Sequence, residues 1–136
     1  MSARPIRVLI ADSFPTVRHG LVSIYSELPD VEVVAETSTG HETIQLAARL
    51  QPDIVALDLE LPDMDGMHAL QELVRRLAHG KVVAIGHIEN EREMLEVLDL
   101  GAAGYLVARD PLEDFVSAVR TIHAKGFFLS STRVGR

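Results

Sequence analysis

The 136-residue chain predicts an α/β fold, a doubly wound sheet of parallel strands with helices on both faces. Three observations predict it. Short, nearly continuous apolar runs recur along the chain, as strands buried on both faces of a parallel sheet require. Segments with apolar residues at helical spacing alternate with these runs, joined by short polar breaks. Two of the runs end on a carboxylate, Asp12 and Asp58, where open α/β sheets keep their ligand sites.

Ile6 to Ala11 reads as the first strand, apolar except for Arg7. Asp12-Ser13-Phe14-Pro15 breaks it and places Pro at a first helical position. The helix that follows runs to about Leu28, with Val17, Leu21, Ile24 and Leu28 on one face. Pro29-Asp30 turns the chain into a second strand, Val31 to Ala35. Ser38 or Thr39 caps a helix whose inner face carries Ile44, Ala47, Ala48 and Leu50. The stretch from Pro52 holds the third strand, which ends at Asp58 and enters a loop punctuated by Pro62 and Asp65-Gly66. A helix from about Met67 to Leu77 comes next.

Lys81 to Ile85 is the fourth strand, broken at Gly86-His87. A charge-rich helix spans about Glu91 to Leu100, and Gly101-Ala102-Ala103-Gly104 leads to a fifth strand, Tyr105 to Val107. Asp110-Pro111 starts a last helix with Leu112, Phe115, Val116, Val119 and Ile122 at helical spacing, and Gly126 ends it. Strands and helices alternating through short loops form right-handed βα units. In the flavodoxin-like (βα)5 arrangement, with strand order 2-1-3-4-5, the switch point lies between strands one and three. Asp12 and Asp58 then share the one crevice that the topology predicts. A capping or turn role for Asp58 is the plainer alternative, and that convergence weakens it.

Composition narrows the function. A formal charge of −7 argues against this chain gripping a polyanion by itself. Cysteine is absent, which excludes disulfides and thiolate metal sites. No apolar run is long enough to span a membrane, and Met1 to Ile10 lacks a signal-peptide layout, so the expected location is cytoplasmic. His19, His41, His68, His79 and His123 fall on separate elements without metal-ligand spacing.

Three ordered motifs carry a resemblance that covers nearly all of the chain. They are Asp12 through Leu21, Pro52 through Gly66, and Gly101 through Leu106. With them the chain resembles the receiver domain of two-component response regulators of the NarL/FixJ (LuxR-type) subfamily. The resemblance implies a receiver domain over 1–126 and the start of a linker over 127–136, leading to a helix-turn-helix DNA-binding domain outside this chain. It makes Asp58 the phosphoacceptor equivalent. Phosphoryl transfer to a carboxylate needs Mg²⁺ between the two negative groups. The family supplies an acidic pair after strand one for the ion, a Thr or Ser after strand four, and a Lys after strand five.

This sequence departs from that set at three positions. The second acid is Ser13, the Thr/Ser position is Gly86, and the Lys position is Ala108. The expectation is therefore a degenerate pocket, with Asp12 and Asp58 left as weak or absent Mg²⁺ ligands and no cofactor required. A solvated surface position is the plainer reading of three candidates for replacement: Glu60 could lend a carboxylate, Arg109 stands one residue past the vacated Lys but points the other way along an extended strand, and His87 could cap the pocket or donate to Asp58. Tyr105 takes the place of the family's switch aromatic, and the room beside Gly86 lets it rest inward permanently.

The leading expectation is an atypical receiver without enzymatic activity. It would control transcription through dimerisation, or through a protein or small-molecule partner, largely independent of phosphate on Asp58. The homodimer face would be helix four, strand five and helix five, or else helices one and five. The alternative is a weakly phosphorylatable receiver that accepts phosphate from a histidine kinase with Mg²⁺ on Asp12, Asp58 and Glu60. A phosphatase using Asp58 as nucleophile is disfavoured, because Glu60, Gly86 and Ala108 do not supply its acid/base, hydroxyl and Lys.

Overall fold

The computed structural model describes residues 4–130. Five strands alternate with five helices: β1 (Ile6–Ala11), α1 (Pro15–Ser26), β2 (Val31–Thr37), α2 (Gly40–Leu50), β3 (Ile54–Asp58), α3 (Gly66–Arg76), β4 (Lys81–Gly86), α4 (Glu91–Asp99), β5 (Gly104–Val107) and α5 (Leu112–Lys125). The sheet is parallel throughout, in the order β2-β1-β3-β4-β5. This is the flavodoxin-like arrangement that the sequence predicts.

Alternating side chains of the buried strands feed two cores, one on each face of the sheet. Leu9, Val55, Leu57 and Tyr105 meet Ile44, Ala47, Leu70, Leu73 and Val97 of α2, α3 and α4. Val8, Ile10, Ile54 and Val83 meet Leu21 and Tyr25 of α1 and Phe115, Val119 and Ile122 of α5. The register pairs Ala11 of β1 with Leu57 of β3, so the residues that follow, Asp12 and Asp58, emerge together at the C-terminal edge.

Local chemistry sets the element ends. Thr39 caps α2 by accepting the Glu42 amide, Asp65 caps α3 through Met67, and Asn90 caps α4 through Glu93. β2 continues past Ala35 to Thr37, whose hydroxyl shares a buried 2.6 Å hydrogen bond with that of Thr43. The inner face of α1 differs from its apolar spacing. Leu21 and Tyr25 are buried, while Val17 stays 42% exposed on a groove beside α5. Tyr25 reaches inward because its hydroxyl donates to the Phe115 carbonyl at 3.0 Å, which satisfies the one polar atom of an otherwise apolar ring.

The stretch 127–136, read as the start of a linker, is described as far as Ser130, and the remainder lies outside the described residues. Within it the Phe128 amide donates to the Ala103 carbonyl at 2.9 Å, and Phe128 forms a parallel bridge with Gly104. Among the described residues no helix is long and apolar enough to cross a membrane.

Candidate functional site

β1 and β3 deliver two carboxylates to one crevice, and both are buried: Asp58 is 0% exposed and Asp12 is 3% exposed. Asp58 Oδ1 accepts the Glu60 amide at 2.9 Å and lies 2.7 Å from His87 Nε2. A carboxylate only accepts, so the imidazole donates. Among the described residues Asp58 Oδ2 has no hydrogen-bond partner. His87 therefore sits against Asp58 and covers one of its oxygens. Burial works against its charge, but the hydrogen bond to Asp58 and the carboxylates of Asp58, Glu60 and Asp12 outweigh it, and the His87 pKa is raised above 6.5. Phe14 makes a tilted ring contact with the imidazole, centroids 6.0 Å apart.

At the end of β4, Gly86 leaves a space that two other side chains fill. A Cβ on Gly86 would stand 2.6 Å from the Tyr105 hydroxyl and closer still to Glu93 Oε1. Tyr105 is 0% exposed, and its hydroxyl donates to Glu93 Oε1 at 2.7 Å. Tyr105 is thus inward, tied from β5 to the first turn of α4.

The other predicted positions divide. Asp12 joins the crevice, with Oδ1 accepting the Phe14 amide at 2.9 Å. Burial raises its pKa most, the Phe14 amide opposes, the Asp58 charge adds to the rise, and His87 and Arg18 oppose. Ser13 is half-buried and adds a hydroxyl where a second acid would stand. Glu60 turns outward, its side chain 64% exposed and Oε2 3.9 Å from His87 Nδ1. Its carboxylate therefore faces the imidazole, which already engages Asp58. Ala108 and Arg109 are both exposed beyond β5. Among the described residues no three His, Cys, Asp or Glu side chains form a group able to hold a metal ion.

Two participants have no counterpart in the sequence reading: Glu93 and Phe14. Asn90-Arg92-Glu93 spacing marks a helix start, and in a capping box the Glu would reach back to the cap amide. Here it turns to Tyr105 instead, a choice that helical periodicity does not encode. Phe14 carries no signal beyond being an apolar residue in a polar break.

Residues 8–120 match the response regulator receiver domain family. The nitrate/nitrite response regulator protein NarL of Escherichia coli K12 is 34% identical over 126 residues, which is 93% of this chain and 58% of that protein. The transcriptional regulatory protein LiaR of Bacillus subtilis is 33% identical over 115 residues, 85% of this chain and 54% of LiaR. The chain thus spans little more than half the length of these relatives. Among solved structures, a LuxR-family two-component response regulator from an Aurantimonas species superimposes with a TM-score of 0.88 at 26% identity, covering 96% of this chain and 93% of that one. The response regulator domain of Thermotoga maritima CheB does so with a TM-score of 0.82 at 26% identity, covering 89% and 98%.

Proposed function

The chain belongs to the response regulator receiver domain family, and from that premise we propose that it is an atypical receiver whose output does not depend on phosphate at Asp58. The observation that carries this reading is the His87 imidazole bonded at 2.7 Å to a carboxylate with no exposed surface. A phosphodonor must bring its phosphorus to a carboxylate oxygen, and here one oxygen is engaged and the other is enclosed. Gly86 and Ala108 add no hydroxyl or ammonium to stabilise the transferring group. Removing one such preorganised donor costs about a hundred- to a thousandfold in rate in other enzymes.

The donor set does not fit a tightly held Mg²⁺. Asp12 and Asp58 are two carboxylates where an acidic pair plus the phosphoacceptor would bring three, and His87 competes for one of their oxygens. No cofactor enters the proposed mode of action. In this reading the domain signals rather than catalyses, in the cytoplasm, through a homodimer or an effector, and its output is control of a DNA-binding segment. The unpartnered Asp58 Oδ2 favours one second reading, a slow receiver for a histidine kinase with Mg²⁺ on Asp12, Asp58 and Glu60.

An amide NMR titration with Mg²⁺, then with beryllofluoride as a mimic of aspartyl phosphate, separates the two. Silence, or a weak Mg²⁺ response confined to Asp12 and Asp58, is the expected result. Saturable shifts running from Asp58 to Tyr105 would replace the first reading with the second.

A further inference from the structure

Between α1 and α5 a groove of about 140 Å³ opens at the C-terminal edge of the sheet. Val17, Leu21 and Ile24 of α1 and Leu112 and Phe115 of α5 line it, with Ala108, and Asp12 is the one charged residue in its lining. Val17 and Leu112 are 42% and 64% exposed, so an occupant would remove apolar surface from water. An enclosed apolar void of about 150 Å³ in another protein takes up benzene. This groove is therefore of small-molecule size.

Its polarity states what the molecule is. Asp12 is a buried carboxylate and feels the negative charge of Asp58 behind it. Of the nearby cationic groups Arg18 and His87 are already engaged, and Arg109, next to Ala108, is exposed beyond β5 and is not among the lining residues. The Arg18 guanidinium bonds the Asp12 carbonyl at 2.9 Å and Glu36 at 3.1 Å, and His87 bonds Asp58. Ala108 offers a methyl group where the family resemblance implies an ammonium. Gly20 widens the groove, since a Cβ there would meet nothing within 4 Å.

We infer that the groove binds a small primary alkylammonium ion, its charge against Asp12 and its alkyl chain between Val17, Leu21 and Leu112. The inference rests on the reading that no phosphoryl group occupies the Asp58 pocket. The ligand supplies in trans the positive charge that Ala108 lacks, and this makes the groove the seat of an effector.

The test is an amide NMR titration of the whole chain with n-butylammonium chloride and, separately, with n-butanol, without Mg²⁺ or phosphodonor. Saturable shifts at Asp12, Val17, Ala108 and Leu112 are expected, half-complete at about a millimolar. Butanol should bind about tenfold more weakly, because it lacks the charge-assisted hydrogen bond. Ala108→Lys, which places an ammonium in cis, and Gly20→Leu, which fills the groove, should each abolish the shifts. Equal response to the two ligands, unchanged binding in both variants, or shifts that follow protein rather than amine concentration would overturn the inference. That last outcome assigns the groove to a second copy of the chain. A parallel beryllofluoride titration keeps the failures apart. Silence toward both reagents removes the amine site alone, whereas a beryllofluoride response at Asp58 removes the reading beneath it.

Discussion

Tyr105 occupies the room that Gly86 leaves open: a Cβ on Gly86 would lie 2.6 Å from the Tyr105 hydroxyl oxygen. The missing side chain and the inward aromatic are two halves of one packing solution. Gly86→Thr should push Tyr105 and Glu93 out of their present positions. The expected cost is about 1–3 kcal/mol by chemical denaturation, as for other overpacked interiors, together with large shifts of the Tyr105 ring resonances. Unchanged ring shifts would mean that Tyr105 does not depend on this space.

Tyr105→Phe tests the tie to α4. The variant keeps the ring but leaves Glu93 Oε1 without its 2.7 Å donor. A loss of about 1–2 kcal/mol is expected, with faster amide exchange concentrated in the first turn of α4. Exchange spread evenly over the chain would point to general destabilisation and away from a specific latch.

His87 should make stability depend on pH in a defined direction. Its pKa is raised in the folded state, so its contribution is complete below the ordinary value of 6.5 and is lost as pH rises through the folded value. Asp12 is also raised, but from 3.8, and its effect falls at lower pH. Urea unfolding at about pH 6 and about pH 9 should show wild type losing more stability than His87→Gln over that interval. Parallel losses in the two proteins would contradict the charged pair.

Removal of His87 alone should not restore phosphoacceptance. In His87→Ala the carboxylate loses its cap, yet Gly86, Ala108 and Ser13 still lack the hydroxyl, ammonium and second acid. Beryllofluoride should remain silent there. The combined Ser13→Asp, Gly86→Thr, His87→Ala, Ala108→Lys protein should give Mg²⁺-dependent saturable shifts at Asp58. A response in the single variant would identify the imidazole as the sole obstacle.

Asp63 anchors the start of α2 in a way that acid should undo. Partial burial opposes its ionisation, but the His41 and Gly40 amides and the His41 imidazole hold its pKa at about 2. Its contribution is present above 3.8 and is lost as pH falls toward about 2. Asp63→Asn should flatten the acid limb of the unfolding curve. An unaltered limb would assign acid sensitivity to other carboxylates.

Much of the crevice was legible because strand ends are marked twice, by an apolar run and by the polar residue that stops it. The places of Asp12, Asp58 and Gly86 at strand ends follow from that punctuation, whereas the contact of His87 with Asp58 goes against the solvated surface position that is the plainer reading of its sequence. Val17 shows the limit of periodicity. Its spacing matches Leu21, but an inward-facing residue is buried only where a neighbouring element closes over it, and α5 leaves a groove there. Glu93 and Phe14 escaped notice because their partners lie on other elements, and no local spacing reports where a side chain reaches across a loop.

The short bridge at Phe128 bears on how copies of the chain can meet. β5 is a sheet margin, but Phe128 covers its beginning, and at its end Asp110 takes both the amide and the carbonyl of Val107, each at 2.8 Å. The opposite margin, β2, exposes Glu32 and Glu36 and carries a register shift opposite Val8 and Leu9. Charge, a bulge and local pairing are the devices by which sheets refuse a foreign strand. Among the described residues both flanks of the sheet thus carry features that disfavour pairing with a foreign strand.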